Sequence, residues 1–222
     1  MIKSSAEIEL MRKSAEVAAD AMTKTIAATM SCSTESQLFA TMDYHCRMSG
    51  AQHLAYPPVV ACGDNANVIH YIGNTQTLEP GNELVLMDAG CEYNGYSSDI
   101  TRTWPVSGRF SPPQRLIYDL VLDVQLKVLE KLAEMEETMT VDGLYNSMQL
   151  YLGQRLVGEG LVKGNDLKGA DILGYVDGGG AIRDTAIAPR SGDFWCTYIT
   201  SFQACLCLLS ASRGPLPRYG RS

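Results

Sequence analysis

Residues 86 to 105, LMDAGCEYNGYSSDITRTWP, set an apolar run against a Tyr- and Thr-rich run and join the two through Asn94-Gly95. Asn-Gly tolerates positive φ at both positions, as a two-residue type I′ turn demands, and that turn twists the way paired strands twist. The turn fixes the register of everything on either side. Tyr93 then faces Tyr96, Gly90 faces Asp99, and Asp88 faces Thr101. Opposed residues share a face of a sheet, as do residues two apart on one strand, so Asp88, Gly90, Asp99 and Thr101 project together. The two aspartates become diagonal neighbours, about 7–8 Å apart at the backbone, with only side-chain-less Gly90 between them.

Two like charges converging on an apolar sheet are destabilising unless something offsets them. A shared proton, a basic partner such as Arg102 or a bound cation would each do so. Alternation directs Arg102 to the opposite face from Asp99 and Thr101, which weakens the second option. Carboxylates held at a fixed spacing suit divalent ions such as Mn²⁺, Co²⁺ or Zn²⁺, which activate a water for hydrolysis. Two solvated aspartates on an open sheet face satisfy the same spacing, and so does a proton-sharing pair, so all three readings stand at this point.

Around the hairpin the pattern is α+β. Ser4 with Glu7 makes a capping box ahead of Ile8, Met11, Ala15, Ala18 and Met22, which predicts an amphipathic helix to about residue 30. Thr34 with Gln37 opens a second helix that Gly50 stops. YPPVVACG (56–63) and NVIHYIG (67–73) read as short strands, followed by ELVLMDAGC and YSSDITRTWPV. Ser111-Pro112-Pro113-Gln114 starts a helix over 112–135, and a further helix is predicted over 141–158. The expected architecture is an antiparallel sheet with helices on one face and both aspartates on the other.

Composition removes several alternatives. The net charge of −7 leaves no basic surface for a phosphate backbone, so nucleic acid is not expected as a partner. Seven cysteines include no C-x-x-C pair, which argues against zinc knuckles and disulfide scaffolds and for reduced, intracellular thiols. Glu7, Glu9 and Glu16 interrupt the N-terminal stretch, so no targeting signal is visible. Residues 164–222 are Gly-rich and then apolar, with no charged residue from Phe194 to Ser212. Thr197, Thr200, Ser201, Gln203 and Ser210 make that run a poor membrane anchor and favour a hydrophobic segment without its packing partner.

The stretches IKSSAEIELMRKSAEV, YPPVVACGDNANVIHY and LVLMDAGCEYNGYSSDITRTWPVSGRFSPPQ resemble the pita-bread metallopeptidases. That group includes Xaa-Pro aminopeptidases, Xaa-Pro dipeptidases, methionine aminopeptidases and creatinase. The wording around the two aspartates looks most like Xaa-Pro aminopeptidases, leaning toward their eukaryotic, often mitochondrial type 3 branch. The resemblance spans about residues 2 to 162 and implies the N-terminal half of a catalytic domain over 1–163, with 164–222 a divergent tail. It makes Asp88 and Asp99 ligands of a site for two divalent ions, most often Mn with Co or Zn as alternatives. His70 would contact substrate and assist proton movement, and the substrates would be peptides with proline at the second position. His45 and His53 fall outside the motif and read as structural. A mitochondrial or cytoplasmic location goes with the resemblance.

The family's site also needs one His and two Glu from the second half of its fold. All three histidines here, His45, His53 and His70, precede Asp88, and the last glutamate is Glu159. The remaining ligands are therefore absent from this chain. Two readings follow: a Xaa-Pro aminopeptidase by descent, inactive as written, or a non-catalytic truncated paralogue, isoform or interaction protein. A sheet lacking its second half would present an unpaired edge, so self-association is expected with either.

Overall fold

The computed structural model describes residues 3–81, 83–133 and 141–161. They fall into two compact units, one running up to Ser111 and one beginning at Pro112. Helix α1, Ser5–Ala28, starts at the expected capping box: the Ser4 hydroxyl accepts the Glu7 N–H at 3.3 Å while the Glu7 carboxylate accepts the Ser4 N–H at 2.7 Å. Its buried stripe is Ser14, Val17, Ala18, Ala21, Met22 and Thr25. Helix α2, Glu35–Met48, is capped by Thr34 and buries Leu38, Met42 and Cys46. Gly50 follows in the left-handed region with φ 96°, which releases the chain from the helix.

Six strands follow: β1 His53–Leu54, β2 Val59–Cys62, β3 Leu84–Ala89, β4 Cys91–Tyr93, β5 Tyr96–Ser97 and β6 Ile100–Pro105. Asn94 and Gly95 have φ of 49° and 83°, as a type I′ turn requires. Tyr93 pairs with Tyr96 and Asp88 with Thr101, in the register that the turn dictates. The expected continuous sheet is nevertheless two three-stranded sheets, ordered β1-β4-β5 and β2-β3-β6. The hairpin is broken at Gly90 on one side and Ser98-Asp99 on the other, so Gly90 and Asp99 are not a ladder pair.

The break has a steric cause. A Cβ placed on Gly90 would lie 1.8 Å from the Ser98 carbonyl oxygen, so the opposing backbone has closed into the space that a side chain would occupy. The Ser98 side chain stands in for the lost ladder bonds: its Oγ accepts the Cys91 N–H at 3.0 Å and donates to the Cys91 carbonyl at 3.1 Å.

The two faces of the sheets divide the core. Val60, Cys62, Val85, Met87, Ala89, Cys91 and Trp104 join the buried side chains of α1 and α2 in one cluster. The Trp104 indole donates to Thr29 Oγ1 at 2.8 Å, which satisfies its N–H inside that cluster. Val59, Ala61, Leu84 and Leu86 form a smaller cluster on the reverse face, against Ala66, Tyr71 and Phe110. Asp88 is two residues from Leu86 and belongs to this second face. Within the first unit, α1 and α2 cover the face that carries Val60, Val85 and Met87. Helices α3, Pro112–Ala133, and α4, Val141–Gly158, pack on each other in the second unit, with Arg155 Nε 3.0 Å from Asp123 Oδ2.

NVIHYIG is not a strand. Residues Gly63–Asn67 form a 3₁₀ turn, and His70 and Asn74 take φ of 54° and 48°, which an extended run does not allow. The four cysteines within the described residues, Cys32, Cys46, Cys62 and Cys91, are free thiols, as the spacing suggested. No helix among the described residues is long and apolar enough to cross a membrane. The 164–222 tail and its uncharged segment lie outside the described residues.

Gly90→Ala is expected to lower the free energy of unfolding by about 2 kcal/mol or more, because backbone must move to admit the methyl group. Gly81→Ala, at a site with nothing within 4 Å, should stay within about 0.5 kcal/mol of the parent. Urea denaturation of the two variants side by side measures the contrast.

Candidate functional site

Asp88 lies near the end of β3 and is almost completely buried, at 1% exposure. Asp99 sits in the break between β5 and β6 and is exposed. What brings them together is Tyr56. Strand β1 pairs His53 with Glu92 and Leu54 with Cys91, whereas β2 resumes with Val59 against Asp88. Residues 55–58 therefore stand opposite only 89–90, and the segment bulges. The Ala55 N–H bonds the Gly90 carbonyl at 3.0 Å, pinning the bulge beside the hairpin break.

From this bulge the Tyr56 hydroxyl reaches Asp88 Oδ1 at 2.5 Å and Asp99 Oδ1 at 2.7 Å. The two carboxylate oxygens are thus no more than about 5 Å apart, since one atom is within hydrogen-bonding distance of both. A phenol has one proton and serves one carboxylate at a time. Burial, then the charge of Asp88 and the bonds to both aspartates, hold the Tyr56 hydroxyl well above the ordinary tyrosine range. It stays protonated and acts as donor at neutral pH. The stabilisation it gives is complete below the unfolded tyrosine value of about 10 and is lost as pH rises through the folded one. Arg102, exposed and bonded to the Thr101 carbonyl at 2.8 Å, pairs with Met87, whose side chain lies in the helix-facing cluster.

His70 is placed differently. It is exposed on the loop after the 3₁₀ turn, and no hydrogen bond or ion pair among the described residues joins it to Asp88, Asp99 or Tyr56. His53 pairs with Glu92 at 3.3 Å and His45 stacks edge-on with Tyr44 at 5.1 Å, in keeping with structural roles. The described residues hold no group of three or more His, Cys, Asp or Glu positioned for a metal. What they offer is a pair of carboxylates joined through one tyrosine hydroxyl, open to solvent on the Asp99 side. That donor set suits an oxygen-preferring divalent ion that keeps several waters.

Tyr56 escaped the sequence reading. The available signal was Pro57-Pro58 directly after it: proline has no N–H for a ladder, so YPP at the head of a strand marks a bulge rather than paired residues.

The model of metallopeptidase family M24 matches residues 9–175, which reaches past residue 163, and the chain belongs to that family. Xaa-Pro aminopeptidase 3 of Homo sapiens is 41% identical over 163 residues, covering 73% of this chain and 31% of that protein. The mitochondrial intermediate cleaving peptidase 55 of Arabidopsis thaliana is 47% identical over 131 residues, 59% of this chain and 26% of its own length. Among solved structures, the Pseudomonas aeruginosa aminopeptidase PepP superposes with a TM-score of 0.65 at 38% identity, over 73% of this chain and 36% of that one. Aminopeptidase P from E. coli gives a TM-score of 0.67 at 33% identity, with the same two coverages. The fold is thus that of the pita-bread aminopeptidases. The chain spans roughly a third of the length of these relatives.

Tyr56→Phe should cost about 1.5–3 kcal/mol of stability in a chelated buffer, since it removes a hydrogen bond to charged groups. In a double-mutant cycle with Asp88→Asn, denaturation midpoints should reveal a coupling energy above about 0.5 kcal/mol.

Proposed function

We propose that this chain is the Asp-bearing half of a Xaa-Pro aminopeptidase site, in which Asp88 and Asp99 hold divalent metal and His70 meets the substrate. The observation that carries the reading is the convergence of both carboxylates on Tyr56, on the sheet face away from α1 and α2. Burial fixes Asp88 in one orientation, and Asp99 keeps its outer side open to a ligand. Tyr56 holds a proton on its Oη and steers one oxygen of each carboxylate. The metal, most often Mn with Co or Zn as alternatives, would polarise the peptide carbonyl and activate water for hydrolysis. His70 would orient the peptide and carry a proton near the scissile bond. Substrates would be peptides with proline at the second position. A mitochondrial setting is supported by the name of the Arabidopsis relative, and a cytoplasmic one is compatible with the same features.

After Asp99 the 222 residues include no histidine, and the last of the five glutamates there is Glu159. Two carboxylates hold a hydrated divalent ion loosely, and a dinuclear cage needs more donors than this hairpin has. We therefore propose that the chain by itself binds metal and does not turn over. The alternative, an interaction protein that has kept the half-fold, is favoured by β2 and β6 having no further sheet neighbour among the described residues. Unpaired edges of that kind promote self-association.

Calorimetric titration of the purified chain with Mn²⁺ should show weak binding that falls at least about tenfold in Asp88→Asn or Asp99→Asn, the loss of one charge-bearing ligand. Cleavage of an Arg-Pro-Pro peptide should be undetectable with or without Mn²⁺. Metal-dependent cleavage abolished by both substitutions would show the chain to be active, and unchanged Mn²⁺ binding in both would remove the metal reading. Sedimentation analysis should find species larger than the monomer at high micromolar concentration.

A further inference from the structure

Glu35 is, with Asp88, a buried carboxylate among the described residues of the first unit, fully enclosed at the first position of α2. A buried charge is costly unless hydrogen bonds replace its water, and here four donors do so. Oε1 accepts the Cys62 N–H at 2.8 Å and Asn65 Nδ2 at 3.1 Å. Oε2 accepts the Tyr71 hydroxyl at 3.0 Å and the Gln76 N–H at 2.9 Å. Every donor comes from residues 62–76, the loop that carries His70. Asn65 Nδ2 also lies 2.6 Å from Gln76 Oε1, which ties the two limbs of the loop to each other.

A second clamp acts beside the first. The Ser36 hydroxyl, next along α2, donates to the Asn74 carbonyl at 2.5 Å. The Asn74 side chain accepts the Val60 N–H at 2.8 Å and donates to the Pro58 carbonyl at 2.9 Å. The same loop is therefore fastened to the segment that follows Tyr56. Between the clamps, His70 holds a left-handed φ of 54°, and Val68, Ile69 and Ile72 are more than half exposed, so local packing does little to fix it. A non-glycine residue persists in that conformation when its surroundings over-determine it. The residue after His70 is Tyr71, whose hydroxyl is anchored on Glu35 and held above the ordinary tyrosine range by burial and that bond.

We propose that Glu35 is a positioning residue whose buried carboxylate gathers the 62–76 loop and sets where His70 stands. It touches no substrate and acts only through the loop. The inference rests on the proposed role of His70 for its meaning in catalysis, while its structural content stands on the four hydrogen bonds alone.

The test is NMR of the chain in chelated buffer, following the His70 ring resonances, assigned with His70→Ala, and amide exchange of Cys62 and Gln76. Glu35→Gln turns one acceptor oxygen into an amide NH₂ that faces donors. It should lower protection of at least one of the two amides by about tenfold or more, as expected for loss of one charged hydrogen bond, and shift the His70 resonances. Val85 and Met87 in β3 should keep their protection. Tyr71→Phe, which leaves three donors on the carboxylate, should shift His70 less and in the same direction. If Glu35→Gln does not fold, Tyr71→Phe decides. An unmoved His70 in the folded variants overturns the proposal, and so does a loss of protection as large in β3 as in the loop. Neither readout needs metal or turnover, so failure to bind Mn²⁺ would sink the enzymatic reading without altering this result.

Discussion

Much of the first unit depends on one close approach of backbone to backbone, Gly90 against Ser98. Because no side chain stands at Gly90, the Ser98 carbonyl enters the space a Cβ would fill, and the long hairpin breaks into two short ladders. The break takes Asp99 out of regular pairing and leaves it exposed while Asp88 stays buried on β3. Across the same point, the bulge at 55–58 delivers Tyr56, with Ala55 bonded to the Gly90 carbonyl. Three departures from regular sheet thus meet at one glycine, and the candidate site is where they meet. Bulges and breaks of this sort re-aim side chains and end regular pairing.

Asp88 and Glu35 show how environment separates two carboxylates of similar burial. Glu35 receives four hydrogen bonds from one loop, and its charge is absorbed in holding that loop. Asp88 accepts the Tyr56 hydroxyl in common with a second carboxylate, Asp99, so Tyr56 ties it to a neighbouring acid rather than to a loop.

The helices were legible in the sequence because their signals are local. The Ser4–Glu7 capping box, the Thr34 cap and the Pro112-Pro113 start each bring together residues within one turn, and the observed helices begin at Ser5, Glu35 and Pro112. NVIHYIG misled because β-branched content near an aromatic resembles a strand, whereas its conformation is imposed from 27 to 41 residues away by Glu35 and the α2 N-terminus. No periodicity records such a contact. Val68, Ile69 and Ile72 are apolar and yet exposed, so their hydrophobicity says nothing here about pairing.

By itself the sequence determined the turn and the register of the paired residues on either side of the break. Positive φ at Asn94-Gly95 is a property of those two residues, and alternation propagates it along both strands. It also determined which helix faces are apolar and, through its motifs, the kinship. Only the tertiary structure decided that Tyr56 would bridge Asp88 and Asp99, that Glu35 would hold the loop of His70, and that the hairpin would break at Gly90. Each of these depends on segments distant in the chain meeting at hydrogen-bonding distance, and that distance is set by how α2, the bulge and the hairpin pack rather than by any residue's own preference.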